Sequence, residues 1–196
     1  MTKRQILIIG IGLFVLLGLF QGCGAYNTFV SKEEVVKQAW ANLQSAYQRR
    51  ADLIPNLVET VKGAADFERS TLREVIEARA RATSVQINPE KLSAEDIQRF
   101  NQLQNALSKS LGRLLLTVER YPELKANKNF LELQAQLEGT ENRIKVARDR
   151  YNQAVQAYNA LVRKFPENLY ATIFGFDTKP YFEAEERAQE APKVEF

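Results

Sequence analysis

VKQAWANLQSAYQRRADLIPNLVETVKGA, residues 36–64, decides the fold class. Val36, Trp40, Leu43, Tyr47, Ile54, Leu57, Val61 and Ala64 follow one another at alternating steps of four and three, with Arg50 the one polar interruption. This 3.5-residue repeat winds an apolar stripe down one side of a helix, and such a stripe is stable only against other helices. Ser31 followed by Glu34 reads as a capping box at the helix start, and Pro55 predicts a kink inside it. The pattern runs on through Phe67, Leu72 and Ile76 to about Thr83, so one long helix is expected.

Two further stretches carry the same period. One opens after Asn88-Pro89, with Ser93 as cap and Asp96 three residues on, and reads Ile97, Phe100, Leu103, Leu107, Leu111, Leu114 and Val118 before Tyr121-Pro122 stops it. The next begins near Asn127 or Asn129 and reads Phe130, Leu133, Leu137, Ile144, Tyr151, Val155, Tyr158, Val162 and Phe165, ending at Pro166. Long amphipathic helices joined by short Asn/Pro turns pack up and down. At 1.5 Å per residue the last of them would reach about 60 Å, so a rod is expected. Composition agrees: only 9 Gly and 6 Pro interrupt 196 residues, and 26% charged with 45% hydrophobic suits a folded chain.

Upstream, Lys3 and Arg4 precede an apolar run that includes Ile6, Leu7, Ile8, Ile9, Leu13, Phe14, Val15, Leu16, Leu17, Leu19 and Phe20. As a helix, Ile6 to Ala25 would rise about 30 Å, the thickness of a bilayer core, with Tyr26 at the far interface. The basic start keeps the N-terminus cytoplasmic and places the chain beyond Tyr26 on the other side. Gly22-Cys23 also resembles a lipoprotein processing site, where Cys23 would be lipidated; Gln21 and Phe20 fit that site poorly, and an uncleaved anchor is preferred. The expected architecture is all-α: an N-terminal transmembrane helix followed by an elongated antiparallel bundle of three to four long helices. Its divisions are an anchor over 1–26, a bundle over 27–168 and an aromatic tail over 169–196.

Charge and absences narrow the function. Twenty-seven basic residues against 24 acidic leave +3. Arg143, Lys145, Arg148 and Arg150 interleave with Glu141 and Asp149, as on a solvated helix, and this argues against a nucleic-acid partner. There is no histidine, and Cys23 is the single cysteine, so neither an imidazole acid/base nor a Cys/His zinc set can be built. Glu33, Glu34, Asp52, Glu59, Glu74 and Glu77 are plentiful carboxylates, but the Glu-x-x-His motif of di-metal bundles is impossible here and no phosphate loop or nucleophile elbow occurs. No enzymatic activity, cofactor or metal is expected.

Two clusters stand out. Arg49, Arg50 and Asp52 precede Pro55, while Glu141 and Arg148 fall near the stripe of the last long helix. They read either as buried interhelical ion pairs that fix register, or as charges at the stripe's edge with heads in water. Either way Arg50 and Asn56 are expected to serve stability. In the tail, Ile173, Phe174, Phe176, Tyr181 and Phe182 crowd around Gly175 and Pro180 without helical spacing. Such aromatics fold back over a bundle end, or else dock a partner through Phe174, Phe176, Tyr181 and Phe182.

The chain resembles the LemA family of bacterial membrane proteins. The matching stretches are QRRADLIPNLV (48–58), YPELKAN (121–127), EGTENRI (138–144), Tyr151-Asn152, Ala154-Val155, Tyr158-Asn159, Phe165-Pro166, Phe182-Glu-Ala184 and Pro192-Lys-Val194. The resemblance implies an N-terminal span, an extracytoplasmic helical bundle, no catalytic residues, and association with other envelope proteins such as TPM-domain proteins or membrane metalloproteases. The expected function is a membrane-anchored scaffold or adaptor of the bacterial envelope that touches the lipid bilayer, other proteins and further copies of itself. The alternative is a lipid-binding or membrane-shaping role for the amphipathic helices.

Overall fold

The helix built on the 36–64 stripe begins far earlier than Ser31. In the computed structural model, α1 runs unbroken from Lys3 to Lys62. The structure describes residues 3–63, 67–85, 87–89 and 92–182, without the side chains of Ile6, Phe14, Val15, Leu17 and Leu19. Ser31 is thus no cap, because the residues before it are already helical and the N–H groups a cap would satisfy are bonded within the helix. Pro55 sits inside α1, and the helix continues past it for two further turns.

The expected separate transmembrane helix is also revised: the apolar run is the first part of α1. Read over the described residues, no helix is long and apolar enough to cross a membrane. Five of the eleven anchor positions, Ile6, Phe14, Val15, Leu17 and Leu19, lie outside the described side chains. Leu7, Ile8, Ile9, Leu13, Leu16 and Phe20 are all exposed.

All described secondary structure is helical. After α1 come α2 (Arg69–Ser84), α3 (Ala94–Val118), α4 (Pro122–Lys125), α5 (Lys128–Arg163) and α6 (Glu167–Phe174). The expected continuation to Thr83 is broken after Lys62 at Gly63, the poorest helix former short of proline. Ala64 lies outside the described residues. The cap of α3 is as its sequence reads: the Ser93 hydroxyl oxygen accepts from the Asp96 N–H at 3.0 Å and donates to the Asp96 carboxylate at 2.7 Å. Asn127 caps α5, its Oδ1 accepting from the N–H groups of Asn129 and Phe130. α4 opens with Pro122 in the first helical position, where the missing N–H has no helical partner to lose. Part of the tail, expected without helical spacing, forms α6, which ends at Gly175 in the left-handed conformation that glycine adopts without strain (φ 75°).

The chain falls into two compact units, Met1–Gln38 with Gln153–Lys179, and Ala39–Asn152 with Pro180–Phe196. The second unit holds the main core. Ile54, Leu57 and Val61 of α1 pack with Leu72 and Val75 of α2, Leu107, Leu111 and Leu114 of α3, Leu124 of α4, and Phe130 and Leu137 of α5. Most of these are stripe positions read from the sequence, brought face to face as heptad positions require. Val75 takes the buried place expected of Ile76, which is exposed, as is Phe165 at the end of the last stripe. Leu124 of α4 joins from outside the stripes. In the first unit Phe29, Val155, Tyr158 and Val162 are buried.

Candidate functional site

Arg50 occupies a stripe position where an apolar residue is expected, and only 3% of it is exposed. Its guanidinium spends the planar fork on three neighbours. Nη1 donates to Ser108 Oγ at 2.8 Å and to Glu141 Oε2 at 2.9 Å. Nη2 donates to Gln104 twice, to the side-chain Oε1 at 2.8 Å and to the backbone oxygen at 3.2 Å. Gln104, itself buried, donates onward to the Ala82 carbonyl oxygen at 3.3 Å. One arginine thereby ties α1 to α3 and α5, and through Gln104 to α2. Glu141 is 60% exposed, so the pair has one wet and one dry partner. Desolvation falls on the cation, and four charge-assisted bonds offset it.

Beside it lies an aromatic nest in the same unit. Tyr47 stands under the Arg50 guanidinium at 5.2 Å and meets Phe100 edge to face at 5.0 Å. Trp40 packs on Phe100 and Tyr151, each with ring centroids at 5.5 Å. Arg148 donates to the Tyr47 hydroxyl at 2.8 Å and lies over the Phe182 ring at 5.0 Å. Asp52 accepts from Gln48 at 2.7 Å on the exposed side of α1, and Arg49 is exposed there too. The cluster read from the sequence therefore divides. Arg50, Glu141 and Arg148 join the interior network, and Arg49 and Asp52 stay on the surface.

The extended chain after α6 is held by two asparagines. In the second unit the Asn152 amide accepts from the Phe182 N–H at 2.8 Å and donates to the Phe182 carbonyl oxygen at 2.9 Å, as a neighbouring β-strand would. The Tyr151 hydroxyl donates to the Pro180 carbonyl oxygen at 2.9 Å. Phe182 is buried among Trp40, Phe100 and Tyr151. The same amide pairing recurs in the first unit, where Asn159 exchanges 2.8 Å bonds with the N–H and carbonyl of Lys179. Lys179 also pairs with Glu33 at 2.7 Å and lies 5.9 Å from the Tyr158 ring centroid. Burial, then the negative charges of Glu33 and Asp177, push the Tyr158 hydroxyl up to about 12; burial raises Tyr151 as well. The sequence offers both asparagines only within the family-matching dipeptides Tyr151-Asn152 and Tyr158-Asn159, with no structural role assigned to either. Their signal was present in the spacing of those dipeptides, seven residues apart.

Of the four candidate docking aromatics, Phe182 is interior, Phe176 is half-buried and stacks on Phe29 at 5.0 Å, and Phe174 and Tyr181 remain exposed. Cys23 is a free, exposed thiol on α1. Three of the carboxylates read from the sequence are surface ion-pair partners: Glu34 with Lys37, Glu59 with Lys62, Glu74 with Arg113. Among the described residues no group of three or more acidic or cysteine side chains is placed to hold a metal ion.

Comparison with known proteins places this arrangement. The chain is similar to magnetosome protein MamQ 2 of Paramagnetospirillum magneticum, 28% identical over 186 residues that make up 86% of this chain and 68% of the relative. It is 26% identical to magnetosome protein MamQ of Magnetospirillum gryphiswaldense, over 80% of this chain and 64% of that one. To Protein LemA of Metamycoplasma hominis it is 25% identical, over 92% of this chain and 76% of the relative. The model of the LemA family matches residues 39–196, which takes in both asparagine clamps, the Arg50 network and the aromatic nest, and the chain belongs to that family.

Proposed function

We propose that this protein is a membrane-anchored helical scaffold of the bacterial envelope that works through protein contacts and self-association rather than through catalysis. The observation that carries this reading is the change of character along α1. Its early turns expose large apolar side chains, Leu7, Ile8, Ile9, Leu13, Leu16 and Phe20, that the fold leaves uncovered, while its later turns bury Val36, Trp40, Leu43 and Leu57 among other helices. Side chains of the first kind suit a hydrocarbon solvent, and those of the second a protein interior. The basic Lys3 and Arg4 favour a cytoplasmic start and a bundle on the opposite side. Family membership and the MamQ and LemA relatives support membrane association.

The polar network has a stabilising geometry. Its arginine is enclosed by amide, hydroxyl and carboxylate acceptors, a set that fixes register. The lipid-shaping alternative needs free amphipathic faces, whereas the stripes of α1, α2, α3 and α5 are buried against one another in the second unit. That weighs toward protein contacts, with a TPM-domain protein, a membrane metalloprotease or a second copy as the partner classes to seek. Crosslinking in intact cells, read by mass spectrometry, tests the proposal. Reproducible crosslinks to a neighbour or between copies are expected, and a protein that stays monomeric with no captured neighbour overturns it.

A further inference from the structure

The eight residues of α6 divide by face. Tyr170 and Phe174, one turn apart, meet α1. A Cβ added to Gly22 would stand 3.2 Å from the Tyr170 ring and 3.9 Å from that of Phe174, so the absence of a side chain there lets the two helices close. The Tyr170 hydroxyl donates to the Gly18 carbonyl oxygen at 3.2 Å, and Phe174 meets the Tyr26 ring edge to face at 5.3 Å. α6 therefore lies against α1 between Gly18 and Tyr26, about 12 Å of helix axis. That stretch is the outer end of the apolar run, at and just beneath the surface of a bilayer that α1 crosses.

The residues of α6 turned away from α1 are those an aqueous surface would not favour. Leu169 is 54% exposed and Ile173, four residues on, 73%; Phe165 just before the helix is 75% exposed, and Phe20 of α1 82%. Covering apolar side chains of this size is favourable. The hydroxyls nearby are already satisfied without water, Tyr170 by Gly18 and Thr172 by the Asn168 carbonyl oxygen at 3.0 Å. A low-dielectric surrounding demands this of any hydroxyl it encloses. Arg163 and Lys164, both exposed, precede the helix with stems long enough to carry their charges to headgroup phosphates.

We propose that α6 is an interfacial helix, seated through Phe165, Leu169 and Ile173 in the headgroup and acyl boundary of the same bilayer that α1 crosses, on the side where α1 leaves it. Lipid is the occupant because the surface α6 joins, Leu16 and Phe20 included, is the one hydrocarbon already surrounds if α1 is a span. The inference rests on that reading of α1.

The test uses the full-length chain with Cys23→Ser, reconstituted in vesicles of phosphatidylcholine and phosphatidylglycerol in equal parts. A nitroxide is placed in turn by Leu13→Cys, Ile173→Cys and Glu132→Cys, and its collisions with dissolved oxygen and with a water-soluble nickel chelate are compared. The labels at 13 and 173 are both expected to show an oxygen-to-nickel ratio several-fold above that at 132. A label at 173 that matches 132, or is shielded from both reagents, while 13 stays lipid-facing, overturns the seating of α6 and leaves the anchor standing. A water-facing label at 13 overturns both.

Discussion

Arg50 stands where the heptad asks for an apolar side chain, and its fate in a mutant depends on which partner would be stranded. Arg50→Met keeps the length and removes the charge. Glu141, already exposed, rehydrates at little cost, but Gln104 and Ser108 lose their donor inside the bundle. A loss of about 2–3 kcal/mol in denaturant unfolding is expected, from hydrogen bonds to a charged group of about 1.5–3 kcal/mol each less the apolar packing that Met restores. Asn56, grouped with Arg50 on sequence grounds, has an exposed side chain, so Asn56→Ala should fall within about 0.5 kcal/mol of the parent. Two of the buried tyrosines, Tyr151 and Tyr158, divide in the same way. The Tyr151 hydroxyl has an acceptor in Pro180, while that of Tyr158 has none among the described residues. Tyr151→Phe should cost about 1 kcal/mol, and Tyr158→Phe should be neutral or mildly stabilising near pH 7. At high pH the order changes. The unfolded chain ionises Tyr158 near pH 10 and the folded one only near 12, so this contribution is complete below about 10 and is lost as pH rises toward 12. Melting temperatures from pH 9 to 12 should therefore fall less steeply in Tyr158→Phe; an unchanged slope would sink this account.

At the scale of elements, α5 does two jobs with one repeat. Tyr151, Val155, Tyr158 and Val162 fill interiors, and the asparagines beside the two tyrosines offer an amide to extended backbone. Asn152→Ala should leave the helices intact and free the Phe182 N–H, because that N–H has the Asn152 amide as its partner. Hydrogen exchange reads this directly. Protection at Phe182 should be lost, with the amides of α3 unchanged, and a uniform loss across α3 would mean that the asparagine supports the bundle instead. The helices α3 and α5 were legible from the sequence because their capping residues and heptad stripes act within a few residues of each other, and Ser93 and Asn127 cap as their chemistry requires. Three features were not. Ser31 was misread because a cap signal says nothing of whether the preceding residues are helical. The split at Gly63 interrupts an apolar pattern that continues on both sides. The clamps at Asn152 and Asn159 depend on partners 30 and 20 residues away, and no local pattern specifies which backbone an amide will meet. Arg50 was legible as an oddity, whereas Gln104, its closest partner in acceptor count, carried no signal at all among the polar residues of α3.

For the whole molecule the proposed anchor turns on how hard it would be to move the first turns of α1 from lipid to water. Leu13 and Leu16 lie near the middle of the apolar run, and both are exposed, so the fold gains nothing from them in water. Within a bilayer each Leu contributes about −0.3 to −0.6 kcal/mol to insertion at a helix centre, whereas a Lys opposes it by about 2.5–3.5. Replacing both by Lys swings insertion by roughly 6–8 kcal/mol, more than a marginal span survives. The double variant Leu13→Lys/Leu16→Lys is therefore expected to leave the membrane pellet for the soluble fraction, while helicity by circular dichroism and cooperative melting of the bundle stay at parental values. The pairing of those two readouts matters. A protein held to membranes only by contacts with other proteins would keep its place despite both lysines, whereas one whose early turns support the bundle would lose its melt along with its membrane. Release with an unchanged melt is the outcome that an anchor, and no other role for these residues, requires.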